Sequence, residues 1–152
     1  FFEQGSLVKT KAKDQELYDW IMEATPVDAI FIDSELDIPV LGQRQIFVPY
    51  AQAHRSQRKG FGLINVILES QSGYGRQLIE RRRQIVRDLY SPRKMLSVED
   101  VEYLAGLGSE IYVVARSRQI AEVVAAKHLK PVFRSCDGAI SVYRMEFPLT
   151  SR

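Results

Sequence analysis

Apolar residues recur along the chain with two different periods, and the switches between them set the order of elements. After Asp14, the residues Leu17, Trp20, Ile21 and Ala24 fall at helical spacing and predict a first amphipathic helix. Thr25-Pro26 ends it, because proline donates no backbone hydrogen bond and disfavours helical geometry in the residue before it. Ala29 to Ile32 is apolar without a break, the pattern of a parallel strand buried on both faces. Asp33, Glu35 and Asp37 follow in a loop at its carboxyl end, which is where open α/β sheets bind ligands. Ile38 to Val40 and Gln45 to Val48 read as short strands around Gly42-Gln43-Arg44, and Ala51 to Gly60 as a polar loop.

Phe61 to Ser70 fits a buried helix or a strand by period alone, and its length and lack of alternation favour helix. Gly73-Tyr74-Gly75 is expected to break it. Arg76 to Tyr90 is the clearest helix, with Leu78, Ile79, Ile85, Val86, Leu89 and Tyr90 on one face and Pro92 beyond its end. Ser97 with Asp100 three residues on resembles a capping box and opens a helix through Val101, Leu104 and Leu107, which Gly106 and Gly108 stop. Ile111 to Ala115 is a fully apolar strand, Gln119 to His128 a helix, and Pro131 to Phe133 a short strand. Asp137-Gly138 makes a hairpin turn into Ala139 to Met145, whose alternation leaves its buried face undecided. This order predicts an α/β three-layer sandwich with a mostly parallel sheet and an antiparallel C-terminal edge hairpin. At 152 residues the expectation is one domain, 1–152.

Composition is that of an average globular protein, with 45% hydrophobic and 26% charged residues. The longest apolar stretch, Phe61 to Leu68, is interrupted by Gly62 and Asn65 and falls well short of the roughly 20 residues that span a bilayer. Cys136 is the only cysteine, so an internal disulfide and a Cys-rich zinc site are excluded. A start at Phe1, without Met or a leader pattern, reads as excision from a longer chain, with processing as the alternative.

Charge changes the picture more. Between Arg55 and Lys94, ten Lys or Arg stand against three Asp or Glu, a local +7 within a chain of net +2. Such a segment is either a solvated helix face or a contact for an anionic partner, and Arg76, Arg81, Arg83 and Arg87 are the residues that would make the contact. Nucleic acid is disfavoured as that partner, since few aromatics interleave with the charges and no nucleic-acid-binding motif accompanies them.

No catalytic constellation stands out. His54 and His128 have no nucleophile signature near them and no metal-ligand spacing, Gly73-Tyr74-Gly75-Arg76 is only a generic phosphate-loop candidate, and no cofactor motif is present. Asp33, Glu35 and Asp37 can divide acid and base roles or hold a hard cation, and loop solubility is the simpler reading. Arg82 is the anomaly: on a helical wheel it falls near the centre of the face formed by Leu78, Ile85 and Leu89. A guanidinium there needs an acid, carbonyls or an anion, with Asp33 and Glu35 as candidate partners. An ion pair, snorkelling to the surface and ligand binding all stay open. Asp33, Glu35, Arg44 and Arg82 are the candidate ligand-binding residues.

Glu16-Leu17-Tyr18-Asp19-Trp20-Ile21, followed by Ala24-Thr25-Pro26-Val27-Asp28-Ala29-Ile30-Phe31, resembles the start of the soluble C-terminal domains of polytopic bacterial membrane proteins. Gly42-Gln43-Arg44, Glu80-Arg81, Ile111 to Val114, Pro131 to Phe133 and Ala139 to Tyr143 are similar to later positions of those domains. They include multi-spanning glycosyltransferases that use lipid-phosphate sugar donors, and uncharacterised proteins of the same layout. The resemblance implies a non-catalytic extramembrane accessory domain, membrane-associated through its parent chain on a side it does not specify. The transmembrane region of that parent and anionic lipid or lipid-phosphate headgroups are the implied partners. It carries no catalytic residue onto this chain, because the catalytic acid of those enzymes lies in the membrane part. Two alternatives remain: a free-standing small-molecule or nucleotide-binding domain with its ligand near Asp33, Arg44 and Ala115, or a protein-interaction module using Tyr50, Phe61 and Tyr74.

Overall fold

The computed structural model describes residues 14–33, 43–47 and 73–147, with the backbone alone at 73–76. The apolar spacing after Asp14 produces a helix, α1, over 14–24. Leu17, Tyr18 and Ile21 are buried along one stripe, and Trp20 is half-buried beside them. The chain then turns through Pro26 into β1 (Ile30–Ile32). A second strand, β2 (Gln45–Ile46), precedes the 17-residue helix α2 (Gly73–Leu89). Next come α3 (Val98–Gly106), β3 (Ile111–Ala115) and α4 (Arg118–Ala125). The hairpin β4 (Lys130–Arg134) and β5 (Ser141–Arg144) closes the described chain.

The five strands lie in the order β2-β1-β3-β5-β4. β1 pairs parallel with β2 and β3, and β5 runs antiparallel between β3 and β4. The expected α/β sheet, mostly parallel with an antiparallel hairpin at one side, is therefore present. β5 is the inner strand of that hairpin and β4 the edge. This explains why β5 gave no clear alternation: Ser141, Val142 and Tyr143 are all buried because both faces of the strand are covered. β4 has the marks of a protected edge, with Pro131, exposed Lys130 and Arg134, and a register shift between Pro131 and Phe133.

The sheet divides two cores. α1 covers one face, where Leu17, Tyr18 and Ile21 pack on Phe31, Tyr112, Val114 and Val142. Helices α2, α3 and α4 cover the other, where Ile85, Leu89, Leu104 and Val124 pack on Ile30, Ile32, Val113 and Tyr143. Among the described residues no helix is long and apolar enough to cross a membrane.

Helix ends follow the capping signals with one exception. Ser97 accepts a hydrogen bond from the amide of Asp100 at 3.1 Å, and Ser117 caps α4 by accepting from Ile120 at 3.2 Å. Of the two glycines after Leu104, Gly108 takes the left-handed turn (φ 72°), and Gly106 is the last helical residue. The exception is Gly73-Tyr74-Gly75, expected as a break and found as the first turn of α2. First-turn amides need no partner within the helix, so glycine there costs little against the long amphipathic run behind it. The features expected at 34–42 and 48–72, which include the Ile38–Val40 strand, His54 and the Phe61–Ser70 helix, lie outside the described residues.

Candidate functional site

Parallel strands deliver the residue after each strand to the same end of the sheet. Asp33 follows β1 and Arg116 follows the neighbouring β3, so two opposite charges meet where ligands of α/β sheets gather. Arg116 donates through Nε to Asp33 Oδ1 at 2.9 Å and through Nη2 to Oδ2 at 2.7 Å, a two-pronged pair over a fully buried carboxylate. Its third nitrogen, Nη1, stands 3.5 Å from Asp14 Oδ2 at the start of α1. Burial alone would lower the basicity of Arg116, but the Asp33 hydrogen bonds and charge outweigh it and raise the guanidinium above its ordinary value.

Tyr90, just beyond α2, reaches the same end and donates its hydroxyl toward Val114 O (2.8 Å) and Ile32 O (3.2 Å), the penultimate and last carbonyls of the two strands. Burial first, and the Asp33 carboxylate second, push its pKa far up, so the phenol stays protonated and serves as a donor. Both carboxylate oxygens of Asp33 are thus spent on Arg116, and two strand carbonyls on Tyr90. An apolar hollow of about 310 Å³ remains beside them, lined by Tyr90, Val114, Arg116, Ser117 and Ile120.

The expectations drawn from the sequence for these charges need three corrections. Asp33 is buried and ion-paired, where loop solubility was the simpler reading. Arg82 does not reach Asp33, whose two oxygens are bonded by Arg116. Arg82 donates instead to the Tyr103 hydroxyl at 2.9 Å and to Phe47 O at 3.1 Å, with its guanidinium carbon 4.8 Å from the centre of the Phe47 ring. Arg44 is not near Asp33 or Ala115: it precedes β2, at the opposite end of the sheet. There it donates to Thr25 Oγ1 (3.1 Å) and to the carbonyls of Thr25 (2.9 Å), Met22 (3.2 Å), Ile21 (3.3 Å) and Gln43 (3.0 Å), closing the carboxyl end of α1. Glu35 and Asp37 lie outside the described residues.

The basic residues of α2 have neighbours of their own. Arg83 pairs with Glu80, Arg87 donates to Gln84 Oε1 at 3.1 Å, and Arg81 donates to Glu99 O at 3.2 Å while lying 4.6 Å above the Tyr103 ring centre. Arg83 Nε is buried with no partner among the described residues. Arg76 is in the first turn of α2, and its side chain lies outside what the structure describes. His128 is exposed and left-handed (φ 63°) after α4. Among the described residues no group of three or more His, Cys, Asp or Glu is arranged to hold a metal ion.

Arg116, Tyr90 and Asp14 do not stand out in the sequence, yet a signal for Arg116 is there: one charged residue directly follows each of the two fully apolar strands. Fold and site together define a small mixed-sheet α/β domain whose strand ends are bridged by their own ion pair beside an apolar hollow. The chain matches no family model, no curated protein and no solved structure.

Proposed function

We propose that the chain is a non-catalytic extramembrane accessory domain of a polytopic membrane protein of the glycosyltransferase-like layout that its segment Glu16 to Phe31 resembles. The observation that carries this reading is the Asp33–Arg116 pair. At the strand ends, where an α/β enzyme of this topology would receive substrate, the polar side chains are bonded to one another and to strand carbonyls. Such an end is built for rigidity. The domain would act by shape, standing over a membrane-embedded site and controlling access to it. Arg81 and Arg87, exposed on α2, would meet anionic headgroups, each adding about 1 kcal/mol near a charged bilayer.

The reading is tested by the reading frame upstream of Phe1. Several apolar segments of about 20 residues support it, and none at all rejects it. The lipid contact has its own test, since unchanged vesicle binding by an Arg81→Glu, Arg87→Glu variant removes that part of the proposal.

One observation favours a second reading, a free-standing small-molecule-binding domain: the hollow beside Tyr90 and Ile120 opens at the ligand end of the sheet. A saturable thermal shift with a nucleotide, abolished by Ile120→Trp, would select this reading over the first.

A further inference from the structure

The far side of the molecule, between α4 and the β4–β5 hairpin, holds an open groove of about 470 Å³. Its two cations come from different elements: Arg118 is the first residue of α4, and Arg134 is the last of β4. Because β4 runs parallel to β3, both stand at the carboxyl end of the sheet. Arg44, Arg81, Arg82, Arg83, Arg87, Arg116 and Arg144 all have bonding partners, whereas Arg118 and Arg134 have none among the described residues.

Arg134 lies along the hairpin turn. Its Nε and Nη2 lie 3.6 and 3.8 Å from where a Cβ would stand on Gly138, so the guanidinium rests against the bare face of the hairpin turn. Tyr143 fixes the opposite wall by donating its hydroxyl to Ala121 O of α4 at 3.2 Å. Below the arginines the lining turns apolar, with Ala121, Ala125 and Pro131, and Glu122 supplies one acid a helical turn beneath Arg118.

We infer that this groove binds a monophosphorylated organic molecule, its phosphate between Arg118 and Arg134 and its uncharged body along Ala125 and Pro131. Two guanidinium forks approaching from two elements match an anion with several oxygens, and the amino end of α4 adds its dipole to the same spot. Glu122 repels a second negative charge deeper in the groove, which fixes the direction of the ligand and excludes polyphosphates. Such a site requires no membrane-bound parent.

The experiment follows the arginine Nε–Hε signals of the 15N-labelled 152-residue chain during titration with inorganic phosphate, with phenyl phosphate, and with vesicles containing phosphatidic acid or only phosphatidylcholine. Saturable shifts of Arg118 and Arg134, with phenyl phosphate binding roughly tenfold tighter than inorganic phosphate, are the expected result. The backbone amides of Gly138 and Ser141, which line the same groove, should shift saturably with both compounds in the parent chain and not in an Arg118→Gln, Arg134→Gln variant of unchanged circular dichroism. Arg93, which also has no partner among the described residues, serves as the control and should not move. Saturation by phenyl phosphate in solution identifies a soluble phosphomonoester, and response to phosphatidic acid vesicles alone identifies a lipid headgroup. No saturable shift with any of them, or equal shifts at Arg93, overturns the site.

Discussion

Buried cations in this protein are satisfied in two ways, and each has its own cost when disturbed. Arg116 balances a carboxylate, so removing one partner strands a charge in the core, typically at about 3–5 kcal/mol. Arg116→Met is accordingly expected to lower the urea unfolding free energy by about 3 kcal/mol, and Asp33→Leu combined with Arg116→Met to recover most of it. A double variant less stable than either single one would show that the pair is not coupled as described. Arg44 instead gathers carbonyls at the end of α1. Arg44→Lys keeps the charge but not the fork, and should cost about 2 kcal/mol in the same measurement. A third residue sets alkaline behaviour: burial, then the hydrogen bond to Glu110, pushes Tyr112 from 10.0 to about 12. Below pH 10 folded and unfolded chains both keep this proton. Between pH 10 and about 12 only the folded chain does, so stability falls as pH rises. Tyr112→Phe, which keeps the stacking on Phe31, should make that fall shallower in urea midpoints taken across the window. At this scale the sequence exposed the anomaly but not its resolution. Arg82 was visible as a charge on an apolar face, but its partners Phe47 O and Tyr103 lie 35 and 21 residues away, beyond what helical spacing can report.

Elements were most legible where the signal is local. A strand such as Ile111–Ala115, apolar at every position, and a cap such as Ser97, whose acceptor lies three residues from its donor, are written in adjacent letters. The start of α2 was not, because glycine's local preference lost to the amphipathic run that follows it. Neither was the burial of β5, which depends on having a neighbour on each side. The caps offer a direct check on the local part. Ser97→Ala should destabilise the domain by about 1 kcal/mol, and Gly108→Ala by a similar amount. The second cost is purely conformational, since a Cβ on Gly108 would meet nothing within 4 Å while its φ of 72° disfavours any side chain. If Gly108→Ala proved neutral in urea titration, the left-handed turn after α3 would not be the rigid stop described.

Across the whole molecule, the three layers were legible because helical and apolar-strand segments alternate, but the strand order was not. Nothing local says that β3 crosses to the far side of β1 from β2 and so brings Arg116 beside Asp33. That order also decides how the domain unfolds. Successive residues of β1 and β3 point to opposite faces, so Phe31, Tyr112 and Val114 serve the α1 core while Ile30, Ile32 and Val113 serve the other. Neither core can come apart without loosening strands that the other needs. Trp20, the single tryptophan, packs on Tyr112 and Phe133 on the α1 side, with ring centres 5.9 and 5.1 Å away. Leu104 is fully buried on the opposite side. Leu104→Ala should lower stability by about 2–5 kcal/mol. Because the cores share strands, the midpoint from Trp20 fluorescence should fall together with that from far-ultraviolet circular dichroism, although the tryptophan is a whole sheet away from the cavity. If the fluorescence midpoint stayed at its original value while the dichroism moved, the α1 layer would be folding independently, and the ion pair from Asp14 through Arg116 to Asp33 would join two units and not brace one.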